Sequence, residues 1–182
     1  MDNNQQLFTI SVFSENTVGV LNQVTAIYRR RCINIESISA SACSIPGVHK
    51  FTLTSHSTRE IMEKVVKQID KLIDIIKAFL YTDDDIVYQE VALYKVPTDR
   101  LLAETNLEWI IRRHSARILE ITPDYTVIEK TGHRDETESL FEALKRYDIR
   151  QFARSGRVTI TKDPTEHVTA LLTARENQCY DK

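Results

Sequence analysis

The 182 residues predict an α+β protein made of two similar halves, each with its elements in the order βαββαβ. Three observations carry this reading. Short runs that loosely alternate apolar and polar residues flank amphipathic stretches of helical spacing. Turn signals punctuate them, at Ser14–Thr17, Pro46-Gly47, Pro123-Asp124 and Ser155-Gly156. The same order then recurs on either side of an acidic run, Thr82–Asp85. An order of this kind suits two ferredoxin-like sandwiches, each an antiparallel sheet with two helices on one face.

Taken in order, Leu7–Phe13 reads as a strand and Val18–Arg31 as a helix, with Val20, Leu21, Val24, Ile27 and Tyr28 at helical spacing. Asn34–Ala42 and Val48–Ser55 return to strand character. Ser57 or Thr58 caps a second helix whose stripe is Ile61, Met62, Val65, Val66 and Ile69. Leu72–Leu80, short and rich in Ile, closes the first half as a strand. The second half repeats this with a strand over Val87–Val96, a helix over Arg100–His114 that includes Trp109, and a hairpin of Ala116–Ile121 and Tyr125–Lys130. A helix over Asp135–Tyr147 and strands at Ile149–Ala153 and Arg157–Thr161 follow. The expected organisation is residues 1–81, a linker at 82–86, a second domain at 87–163 and a tail at 164–182. In that tail Val168, Leu171 and Leu172 suit a short helix capped by Thr165.

Composition excludes several function classes. A net charge of -2 and 42% hydrophobic residues give no electrostatic case for nucleic acid or an anionic membrane as partner. Arg29-Arg30-Arg31 lies where a helix C-terminus favours cations, without interleaved aromatics. No basic-then-apolar leader or transmembrane-length apolar run is present, so a cytoplasmic protein is expected. Cys32, Cys43 and Cys179 form no CxxC pair. The four glycines, Gly19, Gly47, Gly132 and Gly156, are too far apart for a phosphate-binding loop. The five histidines make no HxxxH or HExxH, and adjacent acids in an extended Asp83–Asp85 diverge, so no metal site is expected.

The informative local feature is the first strand-to-helix turn, Glu15–Leu21. A helix N-terminus offers unpaired amides and a positive dipole end, and Gly19 lets a ligand approach the backbone. This suits a carboxylate. The structural alternative is that Asn16 or Thr17 caps the helix and Gly19 eases packing. Asn34 has an amide oxygen to offer an ammonium group, or serves as a turn residue. Val18, Leu21 and Ile35 are candidates for an apolar wall around the side chain of a bound amino acid.

Those residues also carry a resemblance. Leu7–Leu80 resembles an ACT domain. From about Leu7 to Lys162 the chain is similar to the regulatory (small) subunits of acetohydroxyacid synthase, also called acetolactate synthase. The matching strings are ENTVGVLNQV (Glu15–Val24), RRCINIESI (Arg30–Ile38) and QIDKLIDIIKAF (Gln68–Phe79). In the second half they are EVALYKV (Glu90–Val96), ILEITPDYTVIEKTG (Ile118–Gly132) and FARSGRVTI (Phe152–Ile160). The resemblance implies a non-catalytic chain that binds a separate thiamine-diphosphate-dependent catalytic subunit. The cofactors, thiamine diphosphate, Mg and FAD, are expected in that partner and none on this chain. It implies activation of the partner and feedback inhibition by a branched-chain amino acid, usually valine, in Val, Leu and Ile biosynthesis. It further implies a homodimer in which ACT domains pair side by side into a continuous eight-stranded sheet, with the effector at their interface.

Carried onto this sequence, the effector positions are Asn16, Val18, Gly19, Val20, Leu21, Asn34 and Ile35, with Asn22 near the site. Three departures stand out. Val18 replaces the usual Pro or small residue before the turn glycine. Cys32-Ile33 replaces a glycine-containing string before NIES, and Ser41–Val48 differs from the common loop. A free-standing ACT-type amino-acid sensor is the alternative. An enzyme using His114 or His133 is a third reading, without an organised triad to support it.

Overall fold

A computed structural model describes residues 5–102, 107–165 and 168–172. Its elements are β1 (Gln6–Glu15), α1 (Val20–Arg30), β2 (Ser37–Ala42), β3 (Val48–Ser57), α2 (Arg59–Ile69), β4 (Ile75–Tyr81), β5 (Ile86–Pro97), α3 (Thr98–Leu102), α4 (Leu107–Arg113), β6 (Arg117–Ile121), β7 (Tyr125–Gly132), α5 (Arg134–Leu144), β8 (Gln151–Arg154) and β9 (Val158–Thr161). The first sheet runs β2-β3-β1-β4 and the second runs β6-β7-β5-β8. Within these orders neighbouring strands pair antiparallel. Both are ferredoxin-like, as the repeated element order predicts. No helix among the described residues is long and apolar enough to cross a membrane.

In the first unit, alternation along β1 sends Phe8, Ile10 and Val12 into a core with Leu53, Val20, Val24, Ile27, Met62, Val65 and Ile69. Thr58 caps α2 by accepting from the Ile61 amide at 3.5 Å. The expected stripe of α2 buries Met62, Val65 and Ile69, whereas Ile61 stays exposed at its edge. Asp70 ends the helix and ties it to β4. Its carboxylate accepts from the Ala78 amide and from Lys77, both at 2.7 Å. That tie shortens the expected Leu72–Leu80 strand. Successive tight turns occupy 68–75, and β4 begins only at Ile75.

Helix α1 ends in a Schellman motif. The Cys32 amide donates to Arg29 O and the Ile33 amide to Tyr28 O, both at 3.1 Å. Cys32 takes φ 54 to do so, a left-handed conformation that favours glycine. The departure at this position therefore leaves the helix end intact at a cost in backbone strain. Ser115 repeats it after α4, with φ 49.

In the second unit Ala92, Tyr94, Val96, Ile110, Ile128, Leu140, Leu144 and Tyr147 form the core. A Cβ on Gly132 would lie 2.6 Å from Glu136 Oε2, so the flexible Glu136 side chain would have to shift. That oxygen accepts from the His133 amide at 2.7 Å and closes the start of α5. The single helix expected over Arg100–His114 appears as α3 and α4, with 103–106 outside the described residues. Trp109 faces solvent with the Arg113 guanidinium 4.8 Å from its ring, so it is not part of the expected apolar stripe.

One compact unit comprises the described residues up to Val87 together with those from Arg157, and the other is Tyr88–Gly156. The linker at 82–86 contains a capped 3-10 turn, in which Asp85 Oδ2 accepts from the Thr82 amide and hydroxyl at 2.8 and 2.7 Å. Residues 157–163 belong with the first unit for a local reason. Arg157, only 4% exposed, pairs with Asp83 at 2.7 Å and reaches Thr9 Oγ1 at 3.3 Å. Thr159 meets Ser11 Oγ at 3.5 Å and accepts from Lys50. Part of the expected tail continues this strap. Residues 168–172 are helical, and Val168 packs with Val48 and Ile76. The Thr165 amide donates to Asp163, and 166–167 lie outside the described residues.

Replacing Cys32 by Gly is expected to raise stability by roughly 0.5–1 kcal/mol, by removing the left-handed strain. Urea denaturation of the reduced protein checks it, and an unchanged or lower midpoint contradicts the strain.

Candidate functional site

The β1–α1 turn is held from two sides. The Glu15 amide donates to Asp74 O at 3.0 Å, and the Asn16 amide to Gly47 O at 3.1 Å. The departing loop Ser41–Val48 thus contacts the turn directly through Gly47, itself at φ 77. Gly19 occupies the N-cap position of α1 with φ 91, and no side chain caps the helix. Neither Asn16 nor Thr17 plays the capping role that the structural alternative required. No acidic residue lies in the first turn. Gly19 O takes the first helical bond, from the Gln23 amide at 3.1 Å. Among the described residues the amides of Val20, Leu21 and Asn22 have no partner, so the positive end of α1 faces outward unneutralised.

The reason for glycine here is backbone conformation. A Cβ on Gly19 would meet nothing within 4 Å, but φ 91 is a region that other residues rarely adopt. Val18 is 100% exposed, so its side chain collides with nothing in this chain. Leu21 is partly exposed beside it, and Asn16 and Asn22 face solvent. Val20 differs from them. Its side chain is in the core, and only its amide is available to a ligand.

Asn34 and Ile35 are elsewhere. Strand β2 begins opposite the far end of the sheet, since Glu36 N–H bonds Thr54 O at 2.8 Å and Thr54 pairs with Thr9. The turn follows Glu15, which pairs with Val48 at the other end. Six residue steps along β1 separate Thr9 from Glu15, about 20 Å. One chain therefore does not bring Asn34 to the turn. The Asn34 amide nitrogen donates to Glu36 Oε1 at 3.0 Å, which leaves its carbonyl oxygen available. Ile35 is half-buried against the first core.

The edge between these two ends is unpaired among the described residues. There β2, Ser-Ile-Ser-Ala-Ser-Ala, has one neighbour, β3, and carries no charge, bulge or proline to protect its free side. Register places Ile38 and Ala40 on the helix-covered face, opposite Leu53 and Phe51, yet Ile38 is 39% exposed. Periodicity gave the strand but not its position in the sheet, and the uncharged composition was the signal available.

Among the described residues no three His, Cys, Asp or Glu side chains converge as a metal site. His114 lines a cleft of about 380 Å³ with Arg113, Lys130, Asp135 and Glu136. Burial, then Arg113 and Lys130, lower its pKa, and no hydrogen bond joins it to a nucleophile among the described residues. His133 rests edge-on against the Tyr88 ring, 4.4 Å between centroids. Arg29 and Arg30 are exposed in the last turn of α1, and Arg31 is tied to Gln68 at 3.0 Å.

A βαββαβ sandwich with a glycine turn before its first helix and an open edge strand is the architecture of an ACT domain. Residues 10–77 match the family model described as the AHAS small subunit-like ACT domain, and residues 89–163 match that of the small subunit of acetolactate synthase. The Bacillus subtilis acetolactate synthase small subunit is 33% identical over 162 residues, covering 87% of this chain and 91% of the relative. That of Mycobacterium bovis is 32% identical over 156 residues, covering 86% and 92%. The crystal structure of the Thermotoga maritima small subunit superposes with a TM-score of 0.79 at 23% identity, covering 88% of this chain and 99% of that one. The chain belongs to the acetolactate synthase small subunit family, whose members are the regulatory and not the catalytic chains of that enzyme.

Proposed function

We propose that this chain pairs through its ACT domain, activates a thiamine-diphosphate-dependent acetolactate synthase catalytic subunit, and makes it inhibitable by a branched-chain amino acid, valine first. Thiamine diphosphate, Mg and FAD belong to that partner in this reading. The observation that supports it best is the division of one site between two ends of one domain. The uncapped α1 terminus is at one end of the sheet and Asn34 at the other, joined by the unpaired edge β2.

Antiparallel pairing of β2 with a second copy sets the start of one strand against the end of the other. The turn of one chain then faces Asn34 of the partner subunit. The amino acid's carboxylate takes the amides of Val20, Leu21 and Asn22, and its ammonium takes the Asn34 side-chain oxygen. Val18 and Leu21 cover its aliphatic side chain. Burial of a Val-sized side chain contributes ~1.5–3 kcal/mol, and one methylene more or less changes that by ~1–3 kcal/mol, so discrimination among Val, Leu and Ile is modest. Because the ligand touches both chains, it acts on the dimer's arrangement. A coupling of ~1–3 kcal/mol to the catalytic partner gives a roughly 5–150-fold effect.

Three outcomes are expected. Added to its catalytic subunit, the chain raises the rate of acetolactate formation, and valine then lowers it. An unchanged rate overturns the assignment. In Gly19→Asp the new carboxylate occupies the free amides and repels the ligand. Calorimetric valine binding weakens at least about tenfold while activation persists, and unaltered binding moves the site elsewhere. In Ala40→Glu, like charges oppose each other across the paired edges. Sedimentation then shows a monomer where the parent chain is a dimer, and an unchanged dimer places the interface away from β2.

A further inference from the structure

The face of the first sheet away from α1 and α2 holds an open cleft of about 380 Å³ between the sheet and the returning C-terminal strap. One wall is aromatic. Phe13 and Phe79 meet edge to face at 6.0 Å, and Phe79 stacks on Tyr81 at 6.1 Å. The strap supplies the other wall, through Thr159, Ile160 and Val168 among others. Lys50 enters from β3, with its ammonium 5.7 Å from the centre of the Phe13 ring. It donates to Thr159 O and, at 3.2 Å, to Thr159 Oγ1, both neutral oxygens.

Among the described residues no carboxylate pairs with this ammonium, and burial pulls the pKa of Lys50 down. A cation with neutral partners in a partly apolar cavity is under-compensated. Asp163 is the acid among the described lining residues, and it acts on Tyr81. It adds, after burial, to the forces that raise the pKa of the Tyr81 phenol. The cavity thus has a basic end beside Phe13 and an aromatic flank. Its volume is at the small end of the ~300–1,000 Å³ typical of small-molecule sites, which suits a compact acid and not a nucleotide.

We propose that this cavity binds a small amphipathic carboxylate, its charge on Lys50 and its apolar body against Phe13, Phe79 and Tyr81. The site is separate from the Gly19 turn, and the proposal stands whether or not that turn binds an amino acid.

The test titrates the full chain with phenylacetate and 4-methylpentanoate by calorimetry, with 4-methylpentanamide as the uncharged counterpart. Saturable binding of at least one acid is expected, at least about tenfold tighter than the amide. Lys50→Met weakens it by a similar factor, and Gly19→Asp leaves it unchanged. The acid–amide comparison on the parent chain decides the matter even if Lys50→Met fails to fold. Equal affinity for acid and amide, undiminished binding in a folded Lys50→Met, loss of binding in Gly19→Asp, or no saturation below about 10 mM each overturns the proposal.

Discussion

An antiparallel sheet of four strands with both helices on one face leaves two things unfinished, a far face and an edge. The first unit of this chain is organised by how each is covered. On the far face, Thr9 and Ser11 of the central strand are fully buried although they are polar. They can be so because Arg157 and Thr159 return from the C-terminal side to bond them. The buried guanidinium would be costly alone, and Asp83 at 2.7 Å offsets that cost. The edge strand has no such cover among the described residues.

The uncovered edge and the uncapped helix are both features of the first unit. Most helices that begin at a turn satisfy their first amides with a Ser, Thr, Asp or Asn side chain. Here Gly19 takes the cap position, and the acids and hydroxyls nearby do not reach the amides. The second helix of the same unit is capped by Thr58 and carries Glu60 in its first turn, so the contrast is local. A terminus left open in this way is suited to an incoming carboxylate. The residues just before the terminus are held by hydrogen bonds to the Asp74 and Gly47 carbonyls.

Much of this was legible in the sequence. Alternation from Leu7 to Phe13, the stripe Met62, Val65, Ile69 and the Thr58 cap are local patterns, and each recurs in the structure. The Gly19 turn was legible for the same reason, as a glycine between a strand and an amphipathic run. What was not legible depends on pairing over long distances. The wide separation of Asn34 from Gly19 follows from sheet order, which spacing along the chain does not encode. The return of Arg157 to Asp83 and Thr9 is a contact between residues 74 and 148 positions apart. No periodicity announces it, and the family model for the second domain extends to 163, past the point where the chain rejoins the first unit. The Ile-rich Leu72–Ile73 segment looked like strand because apolar composition cannot reveal that Asp70 turns the chain there.

The strap makes the first unit discontinuous, since its last pieces are encoded after the whole of the second. During synthesis the ribosome delivers β1 to β4 before the second unit, but Arg157, Thr159 and Val168 only after it. Until then the Phe13, Phe79 and Tyr81 surface lacks its cover, on the same sheet as the edge strand β2. The nascent chain passes through a stage with two unprotected surfaces, the state in which partly folded domains aggregate or recruit chaperones. Completion of the first unit therefore reports that the second has already been made.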